Sequence, residues 1–300
     1  MKLFDKLFRS DVRYGLGVAV AGRLVIVFLV SLLVFFLSYS LVLIKLPDIQ
    51  GRLTFGELML CMFRGMTPYS PQSGRPFLLP MGWLALLISI LYVTADYPFR
   101  DLGGMGAHVI VACRSRWAWW LPKCCWVVVC VLACLVIITA MCATVTLALG
   151  GEWSFRVRTD VFLALNAGDV ATMTGGNASS GRTGGLRADA TDSADLGLAF
   201  LAFALPLVSI ALVQLVAGLF AHPVIGLAVS IAQLIFSAFF KQWYLLGNYL
   251  MLARTGELMR GGMDPLVGCV LSLCTAAVAV LVGGLVFNHR DIIGRGGSAS

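Results

Sequence analysis

The sequence predicts an all-α membrane protein with six transmembrane helices. Of its 300 residues, 59% are hydrophobic and 12% are charged, and the mean hydropathy is +0.91. Soluble domains carry about 25% charged residues. The apolar residues are concentrated in long runs, and a helix needs about 20 such residues to cross a hydrocarbon core of about 30 Å. Because the runs do not alternate in polarity as barrel strands do, a helical bundle is expected.

Six runs are long enough to be spans. They cover residues 24–44, 77–95, 124–149, 196–220, 223–240 and 265–287. The dipeptide His222-Pro223 is the only break between the fourth and fifth runs. No internal repeat divides the chain, so residues 1–300 are expected to form a single transmembrane domain.

Residues 1–23 precede the first run and are basic. Apolar residues at positions 3, 4, 7 and 8 share one helix face, and Lys2, Lys6 and Arg9 lie on the opposite face. This pattern predicts an amphipathic helix at the membrane interface; a disordered leader that only sets topology is the alternative. More basic residues precede the first run than follow it directly, so the N-terminus is expected in the cytoplasm. Six spans return the C-terminus to the same side.

Three connecting segments have distinct compositions. Residues 45–76 contain a short apolar patch that predicts an outer interfacial helix, and residues 241–264 are compatible with a re-entrant or surface helix. Residues 150–195 end in a stretch rich in Gly, Ser, Thr and Asp, with few large apolar residues. Such a composition buries little surface, so we expect a flexible extracytoplasmic loop there.

The six runs contain no Asp, Glu, Lys, Arg or His. Intramembrane catalysis and ion relays need such residues, so neither is expected here. We therefore do not expect this chain to be an enzyme. The three histidines are far apart in the sequence and the nine cysteines lack metal-binding spacing, so no metal site is predicted. The net charge of +7 is spread along the chain, which favours lipid headgroups over nucleic acid as the partner. Gln214 and Gln233 are either hydrogen-bonding partners between helices or lining of a pathway.

Residues 96–123, DYPFRDLGGMGAHVIVACRSRWAWWLPK, separate the second and third runs. The second span should end before Pro98. Asp101 is then a good N-cap for a short helix to about Ser115, although its glycines weaken it. The remainder of the segment is typical of a membrane-interface anchor formed by Trp117, Trp119, Trp120 and Lys123.

This segment, the six-run layout and the closing FNHRDII resemble the membrane subunits of bacterial ABC-type exporters of the second permease class. The segment is similar to a DYPxxDLxGxG...SRxxWWLxK loop found in a group of these permeases. The resemblance implies that residues 96–123 hold a coupling helix at the cytoplasmic face. The resemblance implies that Arg100, Asp101, Met105 and His108 contact a separate ATPase subunit.

The resemblance further implies a separate ABC ATPase subunit that binds ATP and Mg²⁺, so this chain is expected to hold no cofactor of its own. A second permease subunit, identical or different, is the other expected partner, and the expected location is the cytoplasmic membrane. A membrane scaffold or immunity-type protein that transports nothing is the alternative. Peptides, lipids and drugs fit the apolar spans equally well as cargo.

Overall fold

Helices dominate the fold. The computed structural model describes residues 18–46, 53–69, 77–102, 116–166 and 193–289. Its elements are, in chain order, α1 (Val18–Lys45), α2 (Phe55–Phe63), α3 (Met81–Thr94), α4 (Tyr97–Leu102), α5 (Trp117–Ala148), β1 (Arg156–Arg158), α6 (Thr159–Leu165), β2 (Ser193–Asp195), α7 (Gly197–Ala202), α8 (Ala204–Phe220), α9 (Pro223–Phe239), two 3-10 helices (Leu246–Leu250 and Leu252–Arg254) and α10 (Pro265–His289).

Five helical segments are long and apolar enough to cross a membrane, so the chain has the character of a multi-pass membrane protein. They are Val20–Lys45, Met81–Leu102, Trp117–Ala148, Gly197–Phe220 and Pro265–Asn288. The sequence predicted spans in all five regions. The sixth predicted run forms α9, an apolar helix of 17 residues that is shorter than these five.

Helix α8 lies at the centre of the bundle, where it packs against α10, α9 and α5. The span that contains it is 72% buried, against 28% for the first and last spans. Helix α1 packs on α3 and α5 instead. The outer helices therefore direct most of their apolar surface away from the protein, as expected where the neighbouring solvent is lipid.

The start of α1 and the end of α10 lie at the same end of the bundle. Arg23 in the second turn of α1 pairs with Asp96, just after α3, and Arg116, just before α5, donates to the carbonyl of Phe287 near the end of α10. We call this the charged end. The opposite end, which we call the cap end, contains α2, α6, the two strands and the 3-10 helices.

The boundaries around α4 differ from those that the sequence predicted. Helix α3 ends at Thr94, and after a bend α4 begins at Tyr97, with Pro98 in its first turn, where proline is tolerated. Asp101 is therefore in the last turn of α4, and the prediction that it is an N-cap is wrong. Helix α5 begins at Trp117, seven residues before the predicted span, and includes Pro122. Residues 103–115 lie outside the described chain.

Helix α2 was predicted to lie at the membrane interface, but every one of its residues is buried. The extended chain after α5 covers it: the backbone N–H of Phe55 donates to Glu152 and that of Gly56 to Ser154. The Phe55 ring also stacks on Trp153, with 4.6 Å between centroids. Tertiary contacts thus draw this apolar helix into the cap end.

The two strands close the base of the loop that follows α5. They pair antiparallel with Val157 opposite Ala194, and α6 follows β1 directly. Lys45 and Arg64 donate to the carbonyls of Ala164 and Leu165 at the C-terminus of α6. Most of the Gly- and Ser-rich stretch predicted to be flexible, residues 168–195, lies outside the described residues, and its last three residues form β2.

Arg254 organises the connection between α9 and α10. Its side chain is fully buried, and the guanidinium donates to the carbonyls of Ser237 and Ala238 at 2.6 and 2.8 Å. These are among the last carbonyls of α9, which have no partner within the helix. The guanidinium also donates to the carbonyl of Met66 at 2.9 Å and to the side chain of Asn248. One residue therefore joins three segments of the cap end.

We predict that Arg254→Met lowers the thermal stability of the protein. Methionine fills part of the space but donates no hydrogen bond, and each buried acceptor left unsatisfied costs about 1–3 kcal/mol. The apparent midpoint of thermal unfolding in detergent should fall by about 5 °C or more. Arg260→Met is the matched control, because Arg260 lies on the same connection and is exposed. Equal midpoints for the two variants would contradict the organising role of Arg254.

Candidate functional site

The charged end is the candidate functional site, and Asp96 is its first centre. The carboxylate lies in the bend between α3 and α4, where it accepts from Nη2 of Arg23 at 2.8 Å and from Nε of Arg100 at 2.7 Å. The Arg23 guanidinium also lies over the ring of Tyr92, 5.0 Å from its centroid. Asp96 thus ties the start of α4 to α1.

Asp101 is the second centre and ties the end of α4 to α5. Its Oδ2 accepts from Nζ of Lys123 and from Nε1 of Trp119, both at 2.8 Å. The side chain of Lys123 is only 2% exposed, and its ammonium also lies 5.6 Å from the centre of the Trp119 ring. A buried ammonium is costly without a nearby counter-charge, and the Asp101 carboxylate supplies one for Lys123.

The aromatic residues at the start of α5 fasten that helix to α10. Trp119 stacks on Phe287 with 5.0 Å between ring centroids, and Nε1 of Trp120 donates to the carbonyl of Val280 at 2.9 Å. Gly283 and Gly284 make this approach possible: a Cβ atom at Gly283 would overlap the ring of Trp120, and one at Gly284 would overlap that of Trp117.

Arg116 completes this junction. Its Nη1 donates to the carbonyls of Phe287 and Asn288 at 2.9 and 3.0 Å, near the C-terminus of α10, where a cation is favourable. The loop and the FNHRDII stretch, on which the sequence resemblance rests, are about 170 residues apart, yet their described parts pack against each other here.

Helix α4 also contacts the centre of the bundle. The ring of Phe99 lies so close to Gly218 of α8 that a Cβ atom there would be 2.7 Å from its Cζ. Helix α4 is therefore held by α1, α5 and α8 together. A displacement of α4 would strain contacts to each of these three helices.

The residues predicted to contact a partner are placed differently from one another. Arg100 projects from α4 with 68% of its side chain exposed, whereas the Asp101 carboxylate is 19% exposed and directed to α5. Met105 and His108 lie outside the described residues. So do Lys2, Lys6 and Arg9 of the predicted N-terminal helix.

Most residues of the predicted membrane-interface anchor are buried inside the bundle. Trp119, Trp120 and Lys123 are 3%, 0% and 2% exposed, so they pack inside the bundle and not against lipid headgroups. Only Trp117 is partly exposed. The composition is the same as that of an anchor, but in this protein the rings find partners on α10.

Gln214 and Gln233 do not bond to each other. The side-chain amide of Gln214 donates to the carbonyl of Leu91 at 2.9 Å and to the Thr94 hydroxyl at 3.3 Å, which ties α8 to the end of α3. Gln233 is half-buried on α9, and its backbone carbonyl accepts from Ser237. The possibility that they line a pathway stays a prediction.

The sequence analysis did not predict the two ion pairs at the charged end. Arg23 just precedes one apolar run and Asp96 just follows the next; opposite charges at adjoining ends of successive runs are a signal for such a pair. The same holds for Asp101 and Lys123, which flank the second and third runs.

A buried carboxylate at the cap end was missed as well. Glu57 is fully buried and pairs with Nε of Arg158 at 2.7 Å. The hydrogen bonds that the Arg158 side chain donates to Glu57 raise the pKa of Arg158. Glu57 and Thr54 also form a capping box at the start of α2. Their partners lie about 100 residues away along the chain, so local patterns do not reveal the pair.

Within the ranges that the structure describes, no three His, Cys, Asp or Glu side chains are grouped so that they would hold a metal ion. The charged end is therefore a set of ion pairs and aromatic contacts whose described functional groups hold helices together. No family model matches the chain, and neither curated proteins nor solved structures gave a match.

We predict that Asp101→Ala destabilises the protein more than the double change Asp101→Ala with Lys123→Met. The single change removes the Asp101 carboxylate from a buried ion pair, and the removal of one partner of such a pair typically costs about 3–5 kcal/mol. The double change removes both charges. Thermal unfolding of the two single variants, the double variant and the wild type measures the coupling. Additive effects of the two single changes would contradict it.

We also predict that Gly283→Ala destabilises the protein by about 1–3 kcal/mol, because the added methyl group forces the Trp120 ring from its site. Gly22→Ala is the matched control: Gly22 is also helical, but nothing lies within 4 Å of its Cβ position. Thermal unfolding should show a loss for the first variant and no loss for the second. A stable Gly283→Ala protein would show that the contact is not close.

Proposed function

We propose that this chain is the transmembrane subunit of an ATP-driven ABC-type exporter. The observation that carries the proposal is the placement of Arg100: an exposed cation on a short helix that is itself tied to α1 and α5. A helix of this kind at the end of a bundle is what a separate ATPase subunit needs to push on. The sequence resemblance of residues 96–123 led to the same class.

The proposed topology has six spans, with the charged end in the cytoplasm. Helix α9 is the additional span, since 17 residues rise about 25 Å, at the lower limit for crossing. In support, Gly226 near the start of α9 approaches Gln214 and Gly218 of α8. The last carbonyls of α9 accept from Arg254 at the cap end. Both termini would then lie in the cytoplasm and the protein in the cytoplasmic membrane.

The proposed mechanism is rigid-body motion of spans. ATP and Mg²⁺ are bound by the partner, and closure of the partner around ATP displaces α4. The ion pair Asp96–Arg23 passes the displacement to α1, and Asp101–Lys123 passes it to α5. Because the Lys123 pair is buried, it resists separation better than a surface pair would.

A second permease subunit, identical or different, completes the proposed translocation path. The apolar residues of α1 and α10 are mostly unburied in the isolated chain, so their outward faces are available to lipid and to such a subunit. The alternative, a scaffold or immunity-type protein that transports nothing, requires no ATPase and is the other outcome of the test below.

The proposal is tested with Arg100→Glu. The tagged protein is purified in mild detergent from membranes of its own host, and proteins bearing a P-loop ATPase domain are identified by mass spectrometry. A like charge placed against a complementary surface costs several kcal/mol, so recovery of the ATPase should fall by about tenfold or more. Insertion should not change and stability should change little, because the Arg100 side chain is 68% exposed and Asp96 keeps its pair with Arg23.

Arg156→Glu is the matched control, because it reverses an exposed arginine at the cap end. It should leave recovery of the ATPase unchanged. If no P-loop ATPase accompanies the wild-type protein, the scaffold alternative replaces the exporter. If recovery is the same for all three proteins, Arg100 is not part of the contact.

A further inference from the structure

We propose that Trp153, Phe155, Trp243 and Tyr244 form an aromatic collar that lies in the lipid headgroup layer nearest the cap end. The chain has seven tryptophans, all within the described residues, and only Trp153 and Trp243 are more than half exposed, at 62% and 63%. Tyr244 is 56% exposed and Phe155 is 38% exposed. The collar is separate from the charged end, and no part of the exporter proposal uses it.

The first half of the collar follows α5, where exposed groups change in character along the chain. Leu147, at the end of this apolar helix, is 73% exposed. Trp153 comes next, beside the exposed Glu152, and the exposed charges of Arg156 and Asp160 follow. The chain thus passes from an apolar surface through an aromatic residue to a charged surface.

The second half follows α9 and repeats this order. Phe240, just after the end of the helix, is 47% exposed. The partly buried Lys241 precedes Trp243 and Tyr244, and the exposed Arg260 lies further along the same connection. A bilayer presents hydrocarbon, headgroups and water in the same sequence, and tryptophan and tyrosine are enriched at the headgroup level. Both halves therefore match a membrane–water interface.

Contacts within the protein hold the rings of the collar at the surface. Trp153 stacks on the buried Phe55, with 4.6 Å between centroids, and Trp243 meets Tyr244 edge-on at 6.0 Å. The hydroxyl of Tyr249 donates to the carbonyl of Trp243 at 2.8 Å. Within the part of the chain that the structure describes, neither exposed indole N–H donates a hydrogen bond. Lipid ester and phosphate oxygens are acceptors that a ring at this depth meets.

The collar continues the lipid-facing surface of the spans. Phe155 packs on Phe200 of α7, with 5.9 Å between ring centroids, and Leu198 and Leu201 of the same helix are 50% and 79% exposed. Helix α7 begins the membrane-crossing segment Gly197–Phe220, so lipid around this segment lies next to Phe155. A second copy of the chain would cover one half of the collar, whereas a bilayer surrounds the bundle and reaches both halves.

The cap end is therefore embedded to the depth of the collar, and α5 and α9 end at the same surface of the membrane. This inference follows from exposure, ring contacts and the order of groups along the chain. It does not depend on transport or on an ATPase partner, so the failure of the exporter proposal would leave it standing.

Depth-dependent quenching of tryptophan fluorescence tests the collar. The full-length protein is reconstituted in phosphatidylcholine vesicles whose acyl chains carry bromine near the glycerol end, bromine near the methyl end, or no bromine. In a separate series, iodide is present in the water on both sides of unbrominated vesicles. The emission of one tryptophan is the difference between the wild type and a variant with phenylalanine at that position, which keeps an aromatic ring there.

Trp153→Phe and Trp243→Phe give the emission of the two collar tryptophans. Bromine near the glycerol end should quench each of them several-fold more than bromine near the methyl end or iodide does, because the rings lie at the headgroup level. Trp126→Phe is the matched control: Trp126 is fully buried in the middle of the fold, so all three quenchers should affect its emission least. Thermal unfolding and gel filtration establish that each variant is folded.

A second measurement uses the unaltered protein and needs no variant. Phosphatidylcholine with a photoreactive group in its headgroup should label the peptides that contain Trp153 and Trp243, as mapped by mass spectrometry. Absence of this label would overturn the proposal. So would strong quenching by iodide alone, which places the collar in water, or dominant quenching by bromine near the methyl end, which places it in the hydrocarbon core. Protection from all three quenchers would show that protein, such as a second copy, covers the collar instead.

Discussion

The charged end depends on the ion pair between Lys123 and Asp101. The ammonium is almost fully buried at the start of α5, where the loss of hydration is costly and only a close carboxylate offsets it. That carboxylate comes from α4, so the ion pair ties the short helix to α5. Trp119, which donates to the same oxygen, and its stacking partner Phe287 extend this constraint from α5 to α10.

At the cap end, the partners that the structure describes for the buried cation Arg254 are carbonyl and amide oxygens. Arg254 donates to Asn248 and to carbonyls that α9 leaves open at its C-terminus, where the helix dipole also favours a positive charge. Glu57 is the opposite case, an anion held by Arg158 and by the start of α2. In a bundle with lipid around its middle, these buried charged groups are thus satisfied internally at both ends.

The charged end and the cap end are built differently. The described charges at one end connect α4 to α1 and α5, the Phe99 ring connects it to α8, and one exposed cation, Arg100, projects from that helix. The other end is closed by buried hydrogen bonds. A closed cap end and a charged end with an accessible short helix suit an element that receives force at one end only. This contrast between the two ends is our reason for proposing an exporter subunit.

The sequence by itself determined the class of protein, the five long apolar helices and the concentration of charge outside them. Long apolar runs are local properties, and the thickness of a bilayer converts them directly into spans. The inward placement of Trp119, Trp120 and Lys123 was decided only by the tertiary structure. Helix α5 is apolar on all sides, so its sequence has no polar face that would indicate which side meets protein and which meets lipid. The partners that bury these residues lie on α4 and on α10, about 160 residues further along the chain.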